Sequence, residues 1–241
     1  MAIKSYIADH IARRRKMLAV LVDPEKADAA SLGRLCTLIN EGKPDFIFVG
    51  GSTGNRIEDA VLTLKRDTSV PVVLFPGNAA QFTPAADALL MLSLLSCRNP
   101  ELLIGTQVKA ARRIADSRID TLSVGYILID GGRRSSIELA TLSEPLAKID
   151  DIVDTAIAAQ LLGFQSVYLE AGSGAKVPVF AHTISEVRRR LHIPLIVGGG
   201  IRTPEQMHQA YDAGADIVVI GNHFENHPEQ IPLFCQARKE D

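Results

Sequence analysis

The sequence has no tryptophan, and only 5% of its residues are aromatic although 46% are hydrophobic. Aliphatic side chains must therefore build the core, and no tryptophan can anchor a subunit interface. Cysteine is scarce: Cys36, Cys97 and Cys235 are an odd number without metal-ligand spacing. They exclude a disulfide framework and fit reduced, mostly buried thiols in a cytoplasmic protein. No sign of charge dominates, because 26 Lys and Arg face 28 Asp and Glu, which argues against nucleic acid as a partner. The short basic runs Arg13–Lys16 and Arg188–Arg190 read as solvated helix faces. Long apolar runs are missing as well. Residues Met1–Lys16 are charged and amphipathic, unlike a secretory leader. The nearly uncharged stretch Ser69–Ala86 is broken by three prolines, and Ala88–Cys97 is too short to span a bilayer. The expectation is a soluble, cytoplasmic protein, with peripheral contact to a membrane left open.

What is present is alternation. Eight short aliphatic runs, Leu18–Val22, Asp45–Val49, Val70–Phe75, Ala88–Leu92, Val124–Ile129, Ser166–Leu169, Pro194–Val197 and Ile217–Ile220, are separated by segments with helical spacing. Most runs are continuously apolar, as parallel strands covered on both faces should be. Ile152, Val153, Ala156 and Ala159 follow helical spacing before the sixth run, with Gly163 placed to end that helix. Thr203-Pro204-Glu205-Gln206 carries an N-cap, a first-turn proline and a capping-box partner, and Gly214 closes the helix that follows. Eight strand–helix units predict a single α/β domain over residues 1–241, a (β/α)₈ TIM barrel. An open doubly wound sheet is the alternative, weakened by the absence of a G-x-G-x-x-G fingerprint.

In such a barrel, function sits just after the strands. The first strand ends in Asp23, a charge following an apolar run, which is either a loop acid or a carboxylate at the mouth. The second ends Gly50-Gly51-Ser52, a plain turn or a close approach to a ligand. The sixth runs into Tyr168-Leu169-Glu170-Ala171-Gly172-Ser173-Gly174. The seventh ends Gly198-Gly199-Gly200 and the eighth Gly221-Asn222. Glycine loops after strands seven and eight together predict a phosphate site built from backbone N–H groups. Tyr126, inside the fifth strand, is either core or a ring facing the site. The six histidines show no metal-ligand spacing, and only His223 follows a strand.

In order along the chain, Leu21-Val22-Asp23-Pro24-Glu25-Lys26, Val49-Gly50-Gly51-Ser52-Thr53, Phe75-Pro76-Gly77, the segment Tyr168–Gly174, Gly198–Ile201 and Ile220-Gly221-Asn222 closely resemble the geranylgeranylglyceryl phosphate synthase family. Leu92-Ser93-Leu94-Leu95-Ser96 and Arg98-Asn99-Pro100 look like its archaeal and Bacteroidetes-type branch. The resemblance covers about Leu18 to Asn222. It implies a prenyltransferase that joins sn-glycerol 1-phosphate to a polyprenyl diphosphate, most naturally geranylgeranyl diphosphate, and releases pyrophosphate. By the same analogy Asp23 and Ser52 hold Mg²⁺. Tyr168, Leu169, Glu170, Ala171, Gly172, Ser173, Gly174, Gly199, Gly200, Gly221 and Asn222 form the glycerol phosphate site.

On this reading Glu170 is the catalytic base, Tyr126 offers a π face to an allylic cation, and Asp23 acts through the metal. Phe75, Ala79–Ala80 and Leu89–Leu92 are the regions expected to line a groove for the prenyl tail. A homo-oligomer, dimer or hexamer, is implied by the resemblance alone. The segment Gly131–Glu144, with its paired arginines, has no match in the family pattern. Two rivals stand beside this reading: a phosphosugar isomerase or lyase on the same barrel, and a non-catalytic prenyl-lipid binder.

Overall fold

The computed structural model describes residues 2–51 and 56–238. Eight parallel strands close into a barrel in chain order: β1 Met17–Val22, β2 Phe46–Val49, β3 Val72–Leu74, β4 Ala88–Leu94, β5 Asp120–Leu128, β6 Ser166–Glu170, β7 Leu195–Gly198 and β8 Ile217–Ile220. Each expected strand is present. The largest shift is at β5, which starts at Asp120 because β4 and β5 pair over seven residues from Ala88↔Asp120 to Leu94↔Tyr126. Helices α1 Ile3–Ala12, α2 Ala29–Gly42, α3 Ile57–Asp67, α4 Thr106–Ser117, α5 Ser136–Thr141, α6 Ile149–Leu161, α7 Ala181–Arg188, α8 Pro204–Asp212, α9 Asn222–Asn226 and α10 Ile231–Ala237 complete the described elements. A π-helical turn, Glu101–Gly105, leads into α4. Among the described residues no helix is long and apolar enough to cross a membrane.

Side-chain alternation divides the interior into two cores. Along β6, Val167 and Leu169 face the layer between barrel and helices, while Tyr168 faces the barrel axis. Period two decides this: one residue of slip would exchange the two sets. The outer layer is mostly aliphatic, with Tyr211, Phe224 and Phe234 as its buried aromatic members. The axis is different. Tyr6, Phe46, Phe48, Phe75, Tyr126 and Tyr168 run along it in successive ring contacts 5.1–6.2 Å apart. Two of the four tyrosines and three of the eight phenylalanines thus lie on barrel strands or their ends, and Tyr6 of α1 caps the column from below. The expectation of a purely aliphatic core is corrected on this point.

The strand starts are fastened by aspartates. Asp45 accepts from Leu18 N–H at 2.8 Å, Asp87 from Val72 N–H at 2.8 Å and Asp216 from Leu195 N–H at 2.8 Å, each reaching back to the preceding strand. Helix α1 closes this end, with Ile3 and Ile7 packed into the axial core. Arg188 is corrected too: it is no solvated helix-face residue, since Nη1 pairs with Asp216 at 3.0 Å and its guanidinium also serves the Ile193 carbonyl. Arg189 and Arg190 remain exposed.

At α8, Thr203 caps the Gln206 N–H as predicted. Gln206 Oε1 reaches one residue further back than a capping box requires, to Arg202 N–H at 2.7 Å.

Candidate active site

The carboxyl ends of the strands surround a cavity of about 270 Å³. Its floor is the upper end of the aromatic column. Glu170 is the last residue of β6, and the strand's pleat turns it inward beside Tyr168. It is buried. Its Oε1 accepts the Gly172 N–H at 2.7 Å, and the hydroxyls of Tyr168 and Tyr126 donate to its carboxylate. Burial raises the Glu170 pKa above the ordinary carboxylate range, and the three donors pull against that rise without cancelling it. Burial, reinforced by the charge on Glu170, pushes both phenols well above their usual value, so they stay protonated donors. The result is a desolvated base with a fixed orientation at the bottom of an accessible site.

Glycine loops rise on the β6, β7 and β8 side. Gly199 has φ +82°, and a Cβ there would lie 2.4 Å from Glu170 Oε1 and 2.7 Å from Gly172 N. Only glycine lets the β7 turn close over the base. The N–H groups of Ser173, Gly174, Gly199 and Gly200 meet no backbone acceptor among the described residues, and all four residues line the cavity. Gly221 and Asn222 line it from β8, and the Ser173 hydroxyl bonds the Asn222 amide oxygen across the gap. Such a cluster of free N–H groups suits a phosphate. Leu169 and Ala171, expected among the ligands, do not line the cavity. Leu169 lies in the outer core, and the Ala171 N–H is spent on Gly198 O at 3.0 Å.

Asp23 lines the cavity at the end of β1, the strand that pairs with β8. Its carboxylate lies against Gly51, where a Cβ would be 2.4 Å from Oδ1. Lys26 Nζ sits 3.7 Å from Asp23 and 2.9 Å from Glu225, so a cation bridges β1 to the β8 side. Ser52 lies outside the described residues. Among the described residues no three His, Cys, Asp or Glu side chains gather to hold a metal. One carboxylate on a cavity wall nevertheless fits Mg²⁺, which seldom has an all-protein cage and takes waters and substrate phosphates instead.

The remaining wall is mostly apolar, with Phe75, Leu92, Leu94, Leu102 and Ile137, and Thr106 and Gln107 are set into it. Phe75 and Leu92 were expected there. Ala79 and Leu89 instead line a smaller hollow of about 40 Å³ next to it. Gln107 borders both spaces, and its Oε1 is buried without a partner.

Three features escaped the sequence reading. The unmatched segment Gly131–Glu144 forms α5, which lies over the mouth with Ser136, Ile137, Ala140 and Thr141 lining the cavity. A local signal existed: Ser135-Ser136-Ile137-Glu138 is a capping box, with Ser135 N–H to Glu138 Oε1 at 2.9 Å. Arg202 also reaches the site, yet its guanidinium is spent on the carbonyls of Ala175 and Lys176, clamping the β6 loop to the β7 loop. Lys26 is the third.

This arrangement can be set beside known proteins. The geranylgeranylglyceryl phosphate synthase of Zunongwangia profunda is 46% identical over 216 residues, covering 88% of this chain and 92% of that protein. The enzyme of the same name from Korarchaeum cryptofilum is 39% identical, with 88% of each chain covered. Among solved structures, (S)-3-O-geranylgeranylglyceryl phosphate synthase from Thermoplasma acidophilum, in complex with its substrate sn-glycerol-1-phosphate, superposes with a TM-score of 0.92 at 32% identity over the full length of both chains. The PcrB family matches residues 10–237, and with that span and these identities the chain belongs to the PcrB family.

Proposed function

We propose that the chain is a prenyltransferase that joins sn-glycerol 1-phosphate to a polyprenyl diphosphate, geranylgeranyl diphosphate foremost, forming an ether and releasing pyrophosphate. The observation that carries this reading is the buried Glu170 with its two tyrosines, at the foot of a cavity rimmed by the glycine loops after β6, β7 and β8 and, next to β8, by Asp23. Relatives named for this synthase, and one bound to sn-glycerol-1-phosphate, support it.

The glycine loops after β6, β7 and β8 take the phosphate of glycerol phosphate. Its hydroxyls then point down to Glu170, which aligns the attacking hydroxyl and accepts its proton. Tyr126 and Tyr168 hold the carboxylate in place. Their rings, with Phe75, give the developing allylic cation a π surface. The apolar wall from Leu92 to Ile137 receives the first prenyl units and keeps water from the cation. Asp23, with Ser52, would hold Mg²⁺ against the diphosphate. When bound, the ion supplies charge neutralisation to the departing pyrophosphate. Lys26 adds a fixed positive charge to that side. Cytoplasmic placement fits the three free thiols, and a homo-oligomer follows from family resemblance.

The test is synthesis. Radiolabelled glycerol 1-phosphate and geranylgeranyl diphosphate, incubated with the protein and Mg²⁺, should give a butanol-extractable product and stoichiometric pyrophosphate. EDTA should stop the reaction. Isomerised sugar phosphate without any extractable product would replace this reading with the isomerase one.

A further inference from the structure

The rim of the mouth carries exposed apolar side chains that the cavity does not use. Helix α5 is a two-sided wedge. Ile137, Ala140 and Thr141 line the cavity, while Leu139 and Leu142 are 60% and 88% exposed and take no part in the lining. Leu142 is also held at φ +52°, a conformation leucine adopts rarely. The neighbouring β6–α7 loop is bonded to the same segment, since Lys176 N–H donates to Gly131 O at 2.9 Å. It presents Val177 and Phe180, 37% and 64% exposed.

Charge accompanies these groups. Arg133, Arg134 and Lys176 are exposed, and none is within ion-pair distance of a carboxylate among the described residues. Asp130 and Glu144 are the exposed acids in the two segments 130–148 and 171–180, because Glu138 is buried, against the exposed cations Arg133, Arg134, Lys148 and Lys176. Apolar tips flanked by unpaired cations are what an anionic bilayer surface binds: the tips enter the acyl boundary and the cations meet the headgroups. The overall charge is close to neutral, so this local excess is a property of the rim and not of the whole surface.

We infer that this rim, α5 with the β6–α7 loop, is a docking surface for an anionic lipid bilayer. This rests on the proposed reaction, in which one substrate and the product carry a long apolar chain. Docked by the rim, the cavity opens toward the lipid, and α5 is all that separates bilayer from active site. A prenyl chain then enters along the apolar wall without crossing water.

Flotation with lipid vesicles tests this without using activity. The wild-type protein should float with vesicles of phosphatidylglycerol and phosphatidylcholine, and less with phosphatidylcholine alone or at high salt. L139S/L142S should lower the bound-to-free ratio by about tenfold or more. R133S/R134S should lower it on anionic vesicles only. L161S/L162S serves as the control: these leucines are 79% and 75% exposed at the far end of α6, away from the mouth, and binding should not change. Turnover of all variants on short, water-soluble geranyl diphosphate should stay within about twofold of wild type, since none of these side chains lines the cavity. Wild-type protein that does not float on anionic vesicles overturns the inference. So does an equal loss in L161S/L162S. If L139S/L142S changes the mass seen by light scattering while flotation is unchanged, the rim binds a second copy of the chain and the inference also fails. Absence of turnover in the wild type on any prenyl diphosphate, with flotation as expected, would instead remove the proposed reaction and leave the docking surface standing.

Discussion

The two ends of the barrel are built on opposite rules. At the strand starts, polar groups find protein partners. Asp45 alone takes the Tyr6 hydroxyl at 2.9 Å and the Leu18 N–H at 2.8 Å, and it pairs with Arg238. That one carboxylate ties α1, β1 and the end of α10 together, with His10 stacked on Tyr6 at 4.0 Å. At the strand ends, N–H groups on glycine turns are left without backbone acceptors, and a carboxylate is buried where burial disfavours its charge. The first end gains stability from satisfied groups. The second holds unsatisfied groups in place, as a site for an anion and a proton must. Damage at the first should therefore appear in folding, and damage at the second in turnover.

Four substitutions separate the ends, from the largest effect down. D45A leaves a half-buried guanidinium, a half-buried phenol and a buried strand N–H without their acceptor, so the folded state should lose about 2–3 kcal/mol. A urea titration reads this, and kcat of the folded fraction should stay within about twofold. A parallel loss of kcat would mean that the two ends are coupled. D23N should lose about 10²-fold in kcat, on the scale of a lost metal-borne charge stabilisation, while glycerol phosphate still binds by calorimetry. Full activity of D23N in EDTA would remove the metal role.

Y168F should cost less, about tenfold, and its pH profile says more than its rate. Glu170 must be ionised to act, and its pKa is already raised by burial. The acid limb of kcat/KM should thus lie above the ordinary carboxylate range. Loss of a donor to the charged form raises that pKa again, so the limb in Y168F should move to higher pH. A limb that moves down would place the titrating group elsewhere. G221A should be the mildest. Its new Cβ would meet the Leu21 side chain at 3.2 Å, and crowding at one phosphate loop should raise KM for glycerol phosphate a few fold with kcat unchanged. Gly199 is a poorer probe, since any Cβ there strikes Glu170 itself.

Much of this was legible in the sequence because the signals are local. An apolar run ending in a charge, as at Leu21-Val22-Asp23, marks a strand end and its mouth residue together. The glycines after β7 and the single Gly221 after β8 marked the loops that now line one cavity. Most of the misses were non-local. Whether Tyr126 faced the axis depended on the β5 register against β4 and β6, which no window along the chain contains. Leu169 and Ala171 belong to the motif by neighbourhood, yet the period of two turns Leu169 outward, and the Ala171 N–H is spent on the strand beside it. Helix α5 was passed over because six residues give too short a period to read, although its capping box was visible. Arg188 looked like part of a solvated basic run until Asp216, 28 positions later in the chain, came to meet it.

The central claim is that Glu170, desolvated and held by two phenols, takes the proton from glycerol phosphate. Glu170→Gln tests it most directly, measured as kcat for extractable ether product beside glycerol phosphate affinity and the melting temperature. A buried carboxyl with a raised pKa contributes most to stability below its unfolded value, and that contribution is lost as pH rises through the folded value. At neutral pH the folded wild type therefore carries a desolvation cost that glutamine removes. The account predicts turnover down by about 10²-fold or more, glycerol phosphate still bound, and a melting temperature at neutral pH no lower than wild type. Near-normal turnover by Glu170→Gln would contradict it.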